Sequence, residues 1–292
     1  DPKVPHLNLL LFLPKSAEKK PVPVFVCMNF KGNDAVLGAA KSRWPIEMLT
    51  EAGYGVATFA RDDIDPDKYD EFKNGVHGLF DAKGKKRAPD AWGTITAWAW
   101  GISRAADYLE TDKMVDAKHL AVVGHSRLGK TALWVGANDP RFGIVVSNNS
   151  GCGGAAVFRG KIGERIARIN DHFPHWFCDN FDKYDNAEDK LPVDQHELVA
   201  LIAPRPVYIA SASEDLWADP VSEFLAAKNA APVYALLTGK KVAEIFPATK
   251  IPEVNSPIAG GLVGYHVREG KHNITDYDWS QYIKFANKHW SR

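Results

Sequence analysis

Short apolar runs alternate with longer amphipathic ones along most of the chain. The runs LNLLLFL (7–13), VPVFVCMNF (22–30), YGVATFA (54–60), HLAVVG (119–124), GIVVSNN (143–149), RPVYIASA (205–212) and LVGYHVR (262–268) are predicted strands. They are rich in Val, Ile and aromatic residues and poor in charge, as expected of strands covered on both faces. Helical spacing falls between them, over 44–53, 90–110, 127–139, 193–203, 218–231 and 277–290. In the second of these, Ile95, Trp98, Ile102 and Ala105 recur at near-helical intervals, which predicts a face packed on the sheet. Gly53 is placed to cap the first, and Pro140 and Pro204 follow the ends of the third and fourth. Strand–helix alternation of this kind predicts an α/β fold: a mostly parallel central sheet with helices on both faces. Segments 61–90 and 239–261 are long and rich in Gly, Pro and charge, and read as surface loops near a site. No composition shift marks a domain boundary, so residues 1–292 are read as a single domain.

Composition narrows the class. The 292 residues are 45% hydrophobic and 25% charged with a formal net charge of +0, ordinary values for a water-soluble globular chain. No global field draws it to nucleic acid or to an anionic membrane, and KGKKR (83–87) reads as a solvated loop. No apolar run approaches the ~20 residues of a membrane helix. The chain opens directly on a strand-like segment, as a mature or excised protein would. Three cysteines, Cys27, Cys152 and Cys178, are too few for a disulfide framework, although one pair is compatible with that count. Nine tryptophans are read first as core, while exposed Trp faces would suit stacking on sugar rings.

Candidate chemistry centres on LAVVGHSRLGKTALW (120–134). A strand ending near Gly124, then Ser126, then a helix, is the layout of a nucleophile elbow, where a tight turn lifts a hydroxyl above the sheet edge. The turn also aims the next backbone N–H groups at any oxyanion formed there. The usual G-x-S-x-G pattern is incomplete, because Leu128 takes the place of the second glycine and Gly129 follows one residue later. Spacing alone balances a catalytic serine evenly against an ordinary strand-to-helix turn. The clean strand and helix flanks favour the elbow.

A serine nucleophile needs a base and an orienting acid, in the chain order Ser, acid, His on this fold. SEDLW after the strand 205–212 offers Glu214 and Asp215, and EGKHNITDYDW after 262–268 offers His272. His266 lies inside a strand pattern and is the weaker candidate. His172, His175 and Cys178 in HFPHWFC have ligand-type side chains, but lack a fourth partner nearby and fit zinc poorly. Neither a dinucleotide fingerprint nor a Walker A loop occurs, so no cofactor and no metal are expected.

GHSRLGKTALW, SNNSGCGG (147–154), INDHFPHWFC (169–178), LPVDQHELVALIAPRPVY (191–208), EDLWADP (214–220) and GYHVREGKHNITDYDW (264–279) together resemble the glucuronoyl esterases, carbohydrate esterase family fifteen, in their bacterial wording. The resemblance covers most of 22–290 and implies an α/β-hydrolase. Its implied activity is a serine esterase cleaving the ester between 4-O-methyl-D-glucuronic acid of glucuronoxylan and lignin alcohols, by two-step acyl transfer. It also implies Ser126 as nucleophile, His272 as base, Arg127 at the oxyanion, and Lys130, Glu164 and Trp217 lining the uronic-acid pocket. The expected setting is secreted or periplasmic, as a monomer, with a xylan–lignin ester as substrate and neither nucleic acid nor membrane as partner.

Two departures follow. Fungal members carry their acid in an ESG-type sequence, where this chain has NNSG and therefore Asn149. Asparagine cannot offset an imidazolium charge, which leaves Asp215 as the acid ahead of Glu214. The chain is also expected to lack the segment that precedes the first strand in longer relatives. An acetylxylan or other polysaccharide esterase on the same fold is the nearest alternative, and a catalytically silent carbohydrate-binding relative the alternative from another class.

Overall fold

A computed structural model describes residues 6–38, 43–82, 84–159 and 162–291. Seven strands form one sheet: β1 (Leu10–Phe12), β2 (Val22–Asn29), β3 (Gly55–Ala60), β4 (Val115–His125), β5 (Phe142–Asn148), β6 (Val207–Ala212) and β7 (Val263–Arg268). Their spatial order is β1-β3-β2-β4-β5-β6-β7. All neighbours run parallel except β1, which pairs antiparallel with β3 through Leu10–Thr58, Leu11–Ala57 and Phe12–Val56.

The helices are α1 (Asn33–Gly38), α2 (Ile46–Glu51), α3 (His77–Phe80), α4 (Thr94–Leu109), α5 (Arg127–Asn138), α6 (Ile166–His172), α7 (Gln195–Ala200), α8 (Pro220–Thr238), α9 (Val242–Ile245) and α10 (Asp276–His289). Alternate residues of β2 divide between two cores, as the pleat requires. Val24, Val26 and Met28 meet Trp98 of α4 and Leu128 and Ala132 of α5 on one face. Phe25 and Cys27 meet Tyr54 and the α10 residues Trp279, Tyr282 and Phe285 on the other. Both sheet faces are thus covered, which is why the central strands read as unbroken apolar runs.

Each of the seven expected strands exists. The first is shorter than the apolar run 7–13 because only three residues find a partner at this edge. β4 begins earlier, at a buried Val115, and residues 116–119 that follow are at least partly exposed. α8 continues seven residues past the expected stop at Ala231, through Pro232. Burial of Ala226, Ala227, Ala230, Ala231 and Tyr234 against the core outweighs the backbone penalty of an interior proline, about 3 kcal/mol. The two loops expected over 61–90 and 239–261 contain α3 and α9. Within the charged run 83–87, Lys83 lies outside the described residues and Lys85 and Lys86 are exposed. Arg87 departs from the solvated reading: it folds back onto Asp81 and the Trp92 carbonyl and stacks over Phe72, 3.9 Å from its centroid. The thiols of Cys27, Cys152 and Cys178 form no disulfide among themselves. Burial pushes that of Cys27 up to about 12.

Candidate active site

Ser126 stands between the end of β4 and the start of α5, at φ +59° and ψ −128°. A non-glycine residue held there costs about 1–3 kcal/mol, which the surrounding structure must supply. The supply is local. Ser126 N donates to the Asn148 carbonyl of β5 at 2.9 Å, and the first turn of α5 folds tightly over Gly124. A Cβ on Gly124 would lie 1.8 Å from the Leu128 carbonyl oxygen. Gly129 meets a second close approach, since its Cβ would lie 2.9 Å from Ser150 Cβ, whereas Leu128 is buried in the core. The glycine one place late is therefore needed where it stands, and residue 128 serves packing.

The loops after β6 and β7 bring the next two residues together. His272 Nδ1 lies 2.6 Å from Asp215 Oδ2. The Asn149 amide donates to the same oxygen at 2.8 Å, and Ala218 N donates to Oδ1 at 3.3 Å. Burial works to raise the Asp215 pKa, but the hydrogen bond and charge of His272 and the Asn149 amide outweigh it and hold the carboxyl below its ordinary value. Asp215 has a side chain 4% exposed, and that of His272 is 42% exposed, so the pair faces solvent only through the imidazole. Glu214 is exposed and takes no part in this contact. His266 lies inside β7, fully buried, with Nε2 2.8 Å from Asp278 and Nδ1 3.1 Å from the Tyr208 hydroxyl. A second imidazole, His125, packs 4.6 Å from the His272 ring. Burial, and then the His272 charge, push its pKa down to about 3, so it adds no charge of its own.

Ser126, Arg127 and His272 line one cavity of about 850 Å³, whose lining also includes Phe30, Arg43, Trp44 and Arg61. Arg127 donates to Asp67 and lies over Trp176, 4.7 Å from its centroid, and over Phe173, 5.1 Å away. Asp67 also receives Arg61 at 2.8 Å, Trp176 Nε1 at 2.8 Å and His175 Nε2 at 3.1 Å. Burial would raise its pKa, yet the His175 and Trp176 hydrogen bonds and the two guanidinium charges hold it far below the carboxylate range. His175 thus serves this carboxylate, while the His172 ring nitrogen lies 3.2 Å from the Arg168 carbonyl at the end of α6.

Lys130, on the second turn of α5, is 4% exposed. Its ammonium donates to the Ser150 and Cys152 carbonyls at 2.5 and 2.6 Å and lies 3.9 Å from Glu164. Burial lowers its pKa. Glu164 N donates to the Trp217 carbonyl at 3.0 Å, and Trp217, two residues beyond Asp215, is 54% exposed. Lys130 lines a second cavity of about 370 Å³ together with Trp176, rather than the one containing Ser126.

Asp67, Arg61 and Trp176 escaped the sequence reading because their residue types are common in loops and they lie far apart in the chain. Asp67 in particular falls in the segment read as surface decoration. Only the proximity of that segment to a site was legible.

A family model described as glucuronyl esterase, fungi, matches residues 7–238. The chain is 46% identical to carbohydrate esterase MZ0003 of an unknown prokaryotic organism, over 98% of this chain and 72% of that one. It is 33% identical to 4-O-methyl-glucuronoyl methylesterase 1 of Wolfiporia cocos, over 68% of this chain and 52% of that one, so it spans about half the length of the fungal relative. A solved glucuronoyl esterase from Solibacter usitatus superposes with a TM-score of 0.92 at 43% identity, over 99% of this chain and 79% of that one. No described helix is long and apolar enough to cross a membrane.

Proposed function

The chain belongs to the glucuronoyl esterase family, a family of carboxylic ester hydrolases, and on that premise we propose that it hydrolyses esters of 4-O-methyl-D-glucuronic acid, with Ser126, His272 and Asp215 as its triad. The observation that carries the residue assignment is the 2.6 Å contact of His272 Nδ1 with Asp215, beside a serine held at positive φ. An Asp215 carboxylate there keeps the proton on Nδ1 and leaves Nε2 to act as base. In the first step Ser126 Oγ attacks the C6 carbonyl carbon and its proton passes to His272 Nε2. The tetrahedral oxyanion is held by the N–H groups opening α5 and by the Arg127 guanidinium. The C–O bond to the alcohol then breaks as His272 returns the proton to the departing oxygen. Water, deprotonated by the same imidazole, attacks the acyl-enzyme and releases glucuronate and free Ser126. Lys130, Glu164 and Trp217 are assigned to the uronic acid. The natural ester is assigned to a junction of glucuronoxylan and lignin alcohols, a bulky substrate that fits a secreted or periplasmic enzyme.

Hydrolysis of methyl or benzyl glucuronate, measured beside acetylated xylan, tests the reading. Ser126→Ala is expected to abolish turnover of the glucuronate esters. Asp215→Asn should lower kcat by about three to four orders of magnitude, since the amide favours the wrong tautomer, whereas Asn149→Ala should cost far less. A reversal of the last two outcomes would move the acid elsewhere. Faster turnover of acetyl than glucuronate esters would replace the substrate class.

A further inference from the structure

Arg127 is a long side chain with roughly 2 kcal/mol of rotamer entropy, and an oxyanion donor is useful only where its fork is already aimed. The features that aim it lie behind the cavity wall. Asp67, with a side chain 4% exposed, meets four groups: on Oδ2 an ion pair with Arg61 and the Arg127 donor, and on Oδ1 His175 and the Trp176 N–H. Both carboxylate oxygens are thereby engaged, each by two neighbours, which holds the carboxylate in one orientation. Trp176 acts twice. Its indole N–H fixes Asp67 while its ring floors the Arg127 guanidinium, and it is itself stacked on Phe173 at 3.8 Å and 2°. One edge and one face of the guanidinium are thus taken, and both arginines held by Asp67 line the cavity that contains Ser126.

We infer that Asp67 is a positioning residue for the reaction, one that sets the orientation of the Arg127 guanidinium at the oxyanion through a carboxylate anchored by Trp176 and His175. The inference rests on the serine-esterase reading above. Its contribution falls in the transition state, because the fork meets a full negative charge only there. It should therefore appear in kcat and leave KM nearly unchanged. The carboxylate titrates far below neutrality, so the clamp persists throughout the working range of an imidazole base.

The test is a double-mutant cycle on the intact chain, using wild type, Asp67→Asn, Arg127→Met and the double variant. Two rates are read: labelling of Ser126 by a fluorophosphonate, which needs the oxyanion site but no sugar, and turnover of methyl glucuronate. Asp67→Asn is expected to lower the labelling rate and kcat by about ten- to a hundredfold, the scale of a misplaced donor, with KM little changed. In the Arg127→Met background the same substitution should change either rate by no more than about twofold. Labelling by Asp67→Asn within about twofold of wild type would overturn the inference. So would an equal loss in both backgrounds, the result given by a variant that merely folds poorly. Wild type that is labelled but leaves methyl glucuronate intact would reject the substrate reading, while the labelling cycle still decides the role of Asp67.

Discussion

Lys130 is held by two backbone carbonyls before any substrate arrives. Its ammonium donates to Ser150 and Cys152, in the loop that follows β5 and also carries Asn149. A residue assigned to the sugar is thereby also a strut for the acid side of the proposed triad. Lys130→Met would leave both carbonyls without this donor, at roughly 1–3 kcal/mol for each buried group that finds no other. The expected outcome is a clear fall in melting temperature together with lost turnover; unchanged melting would mean that the carbonyls do not depend on the lysine. Single residues were legible in the sequence where the turn chemistry is local, as at Gly124 and Ser126. They were illegible where the role depends on a distant partner, as at Asp67, whose four partners are residues 61, 127, 175 and 176.

At the scale of elements, α8 is the most consequential, and it runs seven residues past its expected end. Its first turn places Glu223 in the core, where Oε1 accepts the Ser150 and Gly151 amides at 2.8 and 3.0 Å and Oε2 the Ser211 hydroxyl at 2.7 Å. The helix thus pins the loop after β5 to the end of β6, between which Asn149 and Asp215 meet. Burial outweighs these donors and raises the Glu223 pKa from 4.5 to about 7. Between those values the folded chain keeps a proton that the unfolded chain has released, so stability from this group is lost as pH rises through the window. Glu223→Gln removes that dependence, since its amide oxygen still accepts the two N–H groups and its NH2 can donate to Ser211. Denaturant titrations should show the variant gaining on wild type from pH 4.5 to 7, by an amount on the order of 3 kcal/mol. A difference that is flat across this range would show Glu223 ionised in both states. The strands were foreseen because a covered parallel sheet demands unbroken apolar runs; the extent of α8 was not, since Pro232 signals a stop that only buried alanines override.

For the whole molecule, the sheet ties two cores together. Trp98 lies fully buried in one and Trp279 in the other, with β2 contributing alternate residues to both. The single-domain reading of the sequence predicts one transition: Trp98→Ala and Trp279→Ala should each lower a single cooperative unfolding step, by about 3–5 kcal/mol. A separate early transition in either variant would divide the chain into independent units. By itself the sequence determined the α/β class, the seven strands, the strand–Ser126–helix bend and the order Ser126, Asp215, His272, because pleat period, turn chemistry and chain order are local properties. Only the tertiary structure decided which carboxylate reaches His272, that Asn149 supports it from the same oxygen, and that Asp67 clamps Arg127 from behind. Those contacts join segments tens of residues apart, and distance in space is set by packing on the sheet rather than by any pattern within a segment.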